Sequence, residues 1–147
     1  MRLATAADVP AILRIERASH PEPWSERGFL DEIKRGSLWV LDDVSAYVVM
    51  WIVLDEAQIQ NITTDPELRR RGLGRALLTE AIALAREQQC SRVTLEVRDT
   101  NAAAIALYET LAFKRVGLRK RFYSNGDAAV LMDLTLPGPN LPYNGTH

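Results

Sequence analysis

Residues 65–78 read Asp65-Pro66-Glu67-Leu68-Arg69-Arg70-Arg71-Gly72-Leu73-Gly74-Arg75-Ala76-Leu77-Leu78, and they form the most informative stretch of the chain. Residues 58–64 before it have the composition of a strand end, and apolar residues recur after it at the spacing of a helix. The expected order is strand, turn and helix. At such a junction the first helical N–H groups lack partners within the helix, and glycines let the backbone approach an anion closely. The stretch therefore predicts a pyrophosphate-binding loop, with an ordinary turn carrying solvated arginines as the alternative.

Two familiar phosphate-binding loops do not fit this stretch. No Gly-Lys-Ser/Thr follows the glycines, and Leu77 stands where a dinucleotide fingerprint needs its third glycine. The pattern Arg/Gln-x-x-Gly-x-Gly/Ala does fit residues 69–74, and it resembles the acetyl-CoA loop of the GNAT N-acetyltransferases. The resemblance implies that acetyl-CoA is the cofactor. It places the following residues around the pyrophosphate: Arg70, Arg71, Gly72, Leu73, Gly74 and Arg75.

A second motif covers residues 93–113. Val93, Leu95 and Val97 alternate with polar residues, which predicts a strand with Glu96 on the face opposite the aliphatic side chains. Asn101 is suited to begin the helix that follows. Four positions of that helix share one face: Ala104, Ile105, Tyr108 and Leu111. Tyr108 is therefore expected to point inward. A solvated Glu96 and a core Tyr108 remain the structural alternative.

The two motifs, with Pro23-Trp24-Ser25, residues 61–64 and Arg121-Phe122-Tyr123, resemble the bacterial RimI type of GNAT enzyme. The resemblance covers nearly the whole chain. It implies an α/β fold, the GNAT fold, with a central mixed sheet flanked by helices. It also implies transfer of acetyl to the N-terminal alanine of a small-subunit ribosomal protein, number eighteen. We expect a single catalytic domain over residues 1–135 and a tail over 136–147 rich in Pro, Gly and Asn.

Acetyl transfer from a thioester to an amine needs a neutral nitrogen, a polarised carbonyl and a leaving thiolate that can be protonated. Glu96 can take the ammonium proton, and Tyr108 can protonate the thiolate. Backbone N–H groups near Ile62, Thr63 and Thr64 can hold the thioester, because a strand that stops pairing leaves donors free. By resemblance, Asn101 helps to hold acetyl-CoA. We expect direct transfer in a ternary complex, without a metal or a covalent intermediate.

Composition limits the other possibilities. The chain has 147 residues, of which 47% are hydrophobic and 25% charged, so one globular domain is expected. A net charge of −1 argues against general nucleic-acid binding. No apolar run reaches the roughly 20 residues needed to span a bilayer, and no signal peptide is evident. The single cysteine, Cys90, excludes an internal disulfide and a cysteine-cluster metal site. We expect a cytoplasmic protein without membrane, nucleic-acid or metal partners.

Periodicity and turn residues predict the order of elements. The order is strand, helix, helix, three strands, helix, strand, helix and two strands. Ser25 is suited to begin the second helix and Gly36 to end it, while Asn125-Gly126 is typical of a hairpin turn. The basic residues of 114–121 are expected on the solvated face of a strand, with a nucleic-acid surface as the alternative.

The acceptor side is less well defined by the sequence. Trp24 is expected to anchor its loop, and by resemblance it is a candidate wall of the acceptor cleft. Acidic candidates for a basic peptide segment are Glu22, Glu26, Asp31, Glu32, Asp42 and Asp43. Two other functions stay open here. One is acetylation of a lysine side chain or a small amine. The other is a non-catalytic acyl-CoA sensor or a ribosome-associated binding module.

Overall fold

The computed structural model describes residues 1–120 and 122–137. Arg121 and the part of the predicted tail from residue 138 lie outside the described residues. The strands are β1 (Arg2–Leu3), β2 (Leu38–Val40), β3 (Ala46–Val53), β4 (Glu56–Thr64), β5 (Arg92–Arg98), β6 (Lys114–Arg119) and β7 (Ala129–Thr135). The α-helices are α1 (Val9–Ser19), α2 (Glu26–Arg35), α3 (Leu73–Glu87) and α4 (Ala102–Thr110). Short 3₁₀ turns occupy Ala6–Asp8 and Pro66–Leu68. The predicted element order is confirmed.

The strands form a mixed sheet in the order β1-β2-β3-β4-β5-β7-β6. β4 and β5 run parallel from Glu56↔Arg92 to Gln58↔Thr94, whereas β7 pairs antiparallel with both β5 and β6. The predicted mixed α/β sheet is therefore confirmed. Within the described residues, no helix is long and apolar enough to cross a membrane. The chain divides into two compact units, one of residues 1–51 with 60–81 and the other of residues 52–59 with the chain from 82 onward.

The first unit has an apolar core built by α1, α2, β2 and β3. Its fully buried members include Ile12, Ile15, Phe29, Leu38 and Tyr47. As predicted, Ser25 begins α2, because its Oγ accepts from the Gly28 N–H at 3.0 Å. Gly36 ends the helix at φ 75°, in the left-handed conformation that favours glycine. Trp24 stacks on Phe29 with 5.5 Å between ring centroids, which confirms it as a hydrophobic anchor.

The second unit packs α4 with β5, β6 and β7. The register between β5 and β7 runs from Arg92↔Thr135 to Arg98↔Ala129, and the alternate residues Val93, Leu95 and Val97 are buried. All six residues of β6 are exposed. Its register against β7 shifts between Arg115 and Gly117. The basic strand is thus solvated, as expected.

Candidate active site

Asp65 fixes the path of the chain where it leaves β4. The Asp65 carboxylate accepts from the Glu67 N–H at 3.0 Å and from Arg14 Nη2 at 2.8 Å. The hydrogen bond from Arg14 is the largest cause that holds the pKa of Asp65 below its usual range. The Asp65 N–H donates to the Ser45 carbonyl at 2.8 Å. This buried carboxylate therefore joins α1, β4 and the turn that follows, so the loop starts from a rigid position.

The arginine-glycine loop curls through two residues with positive φ. Arg70 has φ 66° and Gly72 has φ 73°. A Cβ added at Gly72 would meet no atom within 4 Å, so the backbone conformation, not space, makes glycine suitable there. The side chains of residues 69–71 are exposed. Left-handed residues in a short loop let successive N–H groups converge, which is the geometry of an anion-binding concavity.

The start of α3 supplies the donors that the sequence predicts. The first helical hydrogen bond runs from the Ala76 N–H to the Gly72 carbonyl at 2.9 Å. The N–H groups of Leu73, Gly74 and Arg75 therefore precede the first bond within the helix. The positive end of the helix dipole and the exposed arginines lie at the same place. These residues fit the pyrophosphate of acetyl-CoA.

The carboxyl end of β4 is held by side chains as well as by the main chain. Thr63 is buried, and its hydroxyl donates to Asn61 Oδ1 at 2.8 Å. Asn61 Nδ2 donates to Glu16 Oε1 at 3.0 Å, and His20 Nε2 lies 2.8 Å from Thr63 Oγ1. The sequence predicts only main-chain contacts for Ile62–Thr64 and does not indicate the roles of Glu16 and His20. The available signal was a carboxylate four residues after Ile12, on the apolar face of a helix.

Glu96 lies where the alternation of β5 predicts it. It is exposed, on the face opposite Leu95 and Val97, which are buried. Arg119 Nη2 lies 3.3 Å from Glu96 Oε1, and the Glu96 side chain is 34% exposed. A partly exposed carboxylate beside a cation stays oriented and can still be reached by an amine. The position therefore suits a general base.

Asn101 and Tyr108 lie at the two ends of α4. Asn101 begins the helix as predicted, because its Oδ1 accepts from the Ala104 N–H at 3.2 Å. Tyr108 points inward as predicted and is 7% exposed, with its ring centroid 5.8 Å from that of Phe113. Burial, and to a smaller extent Tyr123, raises the pKa of Tyr108 to about 12. The phenol therefore keeps its proton at neutral pH and can donate it.

The segment between β6 and β7 is tied to the end of β5 by Arg98. Its guanidinium lies 3.8 Å from the ring centroid of Tyr123, and Arg98 Nη1 donates to Asn125 Oδ1 at 3.0 Å. Burial is the main cause that raises the pKa of Tyr123, while the Arg98 guanidinium opposes this rise and Glu96 adds to it. The sequence had indicated Tyr123 only through family resemblance.

One of the acidic candidates for the acceptor side is wrong. Glu32 is buried, and its carboxylate accepts from Ser37 Oγ and from Trp51 Nε1, the latter at 2.8 Å. It therefore stabilises the first unit and does not face a peptide. Asp31 is exposed and pairs with Arg27 at 3.3 Å. Across residues 1–120 and 122–137, no group of three or more His, Cys, Asp or Glu side chains is placed to hold a metal ion.

Comparison with known proteins places this geometry among acetyltransferases. The sequence model of the acetyltransferase (GNAT) family matches residues 9–113. The [ribosomal protein bS18]-alanine N-acetyltransferase of Escherichia coli K12 is 38% identical over 136 residues, which cover 88% of this chain and 92% of that protein. The crystal structure of the ribosomal-protein-S18-alanine N-acetyltransferase from Escherichia coli superposes with a TM-score of 0.81 at 36% identity, covering 95% of this chain and 96% of the other. Ard1 from Thermoplasma volcanium gives a TM-score of 0.86 at 28% identity, covering 92% and 96%.

Proposed function

Because this chain belongs to the GNAT family of acetyltransferases, we propose that it moves the acetyl group of acetyl-CoA to the N-terminal alanine of ribosomal protein bS18. The observation that carries the proposal is the 38% identity to a protein of that activity, extending over 88% of this chain and 92% of the relative. The similarity is not confined to the cofactor loop that GNAT enzymes share. We also propose that residues 1–135 act as one catalytic domain, in the cytoplasm where ribosomal proteins are made.

The donor side of the proposed site is the loop that precedes α3. The N–H groups of Leu73, Gly74 and Arg75, with the guanidinium groups of Arg70 and Arg71, would bind the pyrophosphate. Gly72 would keep the loop in the conformation that turns these donors outward. At the end of β4, the main-chain N–H groups of residues 62–64 would hold the thioester carbonyl. Asn101 would complete the binding of acetyl-CoA from the start of α4.

Glu96 and Tyr108 would divide the proton transfers between them. When bound, acetyl-CoA supplies an activated acetyl group on a thiol leaving group. Glu96 would take a proton from the ammonium of the incoming alanine, directly or through one water, so that the nitrogen can attack. Tyr108 would give its proton to the departing sulfur, a role supported by the burial that keeps its phenol protonated. Trp24 would form part of the wall along which the acceptor peptide lies.

The test uses two peptides of the same sequence beginning Ala-Arg, both with an internal lysine. One has a free N-terminus and the other an acetyl-blocked N-terminus. We expect acetylation of the free peptide at its α-amine, located by mass spectrometry, and little reaction of the blocked peptide. Reaction should weaken at high salt if acidic side chains attract the basic segment, because charge attraction is screened over roughly 10 Å at about 0.1 M salt. Equal rates on both peptides would identify a lysine acetyltransferase and contradict the proposal.

A further inference from the structure

Glu16 is a charged residue in the middle of an apolar core. It is 1% exposed, and its neighbours on α1 include the fully buried Ile12 and Ile15. Taking a carboxylate out of water costs several kcal/mol unless donors replace the lost hydration. A surface location two residues away in the same helix would avoid this cost. The hydrogen-bond donors around the Glu16 carboxylate should therefore explain why it is buried.

The donors to Glu16 come from three separate parts of the first unit. Trp24 N–H, in the segment between α1 and α2, donates to Oε2 at 2.9 Å. Asn61 Nδ2, near the carboxyl end of β4, donates to Oε1 at 3.0 Å, and the Tyr47 hydroxyl donates to the same oxygen. Burial, together with this contact to Glu16, raises the pKa of Tyr47, so its hydroxyl keeps its proton. One carboxylate thus joins the α1–α2 segment to the end of β4.

His20 closes the network on the side that reaches solvent. The Thr63 hydroxyl donates to Asn61 Oδ1, so its oxygen can accept a hydrogen bond from His20 Nε2, which lies 2.8 Å away. The same nitrogen lies 3.5 Å from Glu16 Oε1. The His20 side chain is 37% exposed, so the ring forms the outer end of a buried chain of hydrogen bonds.

We propose that Glu16 and His20 are positioning residues, which hold residues 20–25 at the carboxyl end of β4 so that the acceptor peptide meets the strand end that binds the thioester. The proposal rests on the proposed function, which assigns Trp24 to the acceptor wall and residues 62–64 to the thioester. Neither Glu16 nor His20 takes part in the chemical steps of acetyl transfer. Loss of the network should therefore affect the binding of the peptide more than the rate of the bound complex.

The decisive variant is Glu16→Gln, which keeps size but replaces one acceptor oxygen by an amide group. It should raise KM for the Ala-Arg peptide roughly tenfold or more, the factor expected for one lost hydrogen bond to a charged group. The value of kcat at saturating peptide should stay within about threefold. Glu32→Gln is the matched control, because Glu32 is also buried, but its carboxylate accepts from Ser37 and Trp51, with Arg35 Nε 3.7 Å away, rather than from Trp24 and Asn61. It should lower the melting temperature and leave the peptide KM unchanged.

His20 provides a test of the direction of the hydrogen bond. His20→Gln keeps an N–H donor at about the reach of Nε2, whereas His20→Leu keeps the bulk and removes the donor. We expect a peptide KM within about twofold of wild type for His20→Gln and an increase of roughly three- to tenfold for His20→Leu. Equal KM values for the two variants would contradict the role of His20 as a donor.

Amide hydrogen exchange gives a readout without turnover. The Trp24 N–H is bonded to Glu16, so exchange over residues 20–25 should accelerate in Glu16→Gln and not in Glu32→Gln. A wild-type protein that does not acetylate the peptide would overturn the proposed function, and the acceptor role with it. A wild-type protein that does acetylate it, with unchanged peptide KM and exchange in Glu16→Gln, would overturn this inference alone.

Discussion

Replacing Tyr108 with Phe removes one oxygen from a buried ring and leaves the contact with Phe113 in place. Because the variant keeps the buried ring and its volume, the substitution should preserve the fold. A general acid contributes roughly 10²- to 10⁴-fold to a rate. We therefore expect kcat of Tyr108→Phe to fall by about that factor, while calorimetry shows unchanged binding of acetyl-CoA.

The pH dependence makes this prediction sharper. With its pKa raised to about 12, Tyr108 stays protonated throughout the range from pH 6 to 9. The ratio of wild-type to variant kcat should therefore be flat over that range. In the unfolded chain the phenol ionises near pH 10, whereas in the folded chain it resists until about 12. The free energy of unfolding should therefore fall by about 3 kcal/mol as the pH rises from below 10 to above 12, at about 1.36 kcal/mol per pKa unit, and the Tyr108→Phe variant should lack this fall.

The kinetic assay follows the release of free thiol with the Ala-Arg peptide at saturating acetyl-CoA. Urea unfolding of both proteins at pH 9 and pH 11 should show about half of the Tyr108-dependent fall in the free energy of unfolding, in the wild type alone. A variant within threefold of the wild-type rate would refute the role of Tyr108 as an acid. A ratio of wild-type to variant kcat that changes tenfold per pH unit below pH 9 would show that Tyr108 ionises in that range, and would refute the inference that burial keeps it protonated.

Two further predictions concern the base and the cofactor loop. Glu96→Gln should lower kcat roughly 10²- to 10⁴-fold, whereas Glu109→Gln, which also removes an exposed partner of an arginine, should stay within about twofold in the same assay. Gly72→Val should abolish acetyl-CoA binding in a folded protein, because a β-branched residue at φ 73° displaces the loop. Gly36→Val, at φ 75° and with equally open space, should carry similar strain but leave acetyl-CoA affinity unchanged in calorimetry; equal losses in both glycine variants would contradict the loop assignment.

The elements could be predicted from the sequence because their signals are local. Ser25 begins α2 through a neighbour three residues away, and Gly36 ends it through its own φ angle. The alternation along β5 likewise predicts which side chains are buried and leaves Glu96 on the other face. Asn101 and Tyr108 follow from the spacing within one helix. In each case the deciding contacts span less than two helical turns.

The side-chain networks could not be predicted, because their partners are far apart in the chain. Glu16 lies 31 residues from Tyr47 and 45 from Asn61, and His20 lies 43 residues from Thr63. Charge alone also misled the interpretation of Glu32. Its negative charge made it a candidate for binding a basic acceptor peptide, but the carboxylate is buried and accepts hydrogen bonds from Ser37 and Trp51. Only the packing of α2 against its neighbours shows that protein donors replace water around the Glu32 carboxylate.

The chain's single cysteine, Cys90, lies buried just after α3, and burial raises the pKa of its thiol. Each transfer from acetyl-CoA would release coenzyme A with a free sulfhydryl, which after oxidation forms mixed disulfides with protein thiols. Such exchange needs an accessible thiolate on the protein. Cys90 offers neither access nor the ionised sulfur. Coenzyme A released by the enzyme should therefore form no mixed disulfide with Cys90, even under oxidising conditions. The enzyme should need no added reductant to stay active.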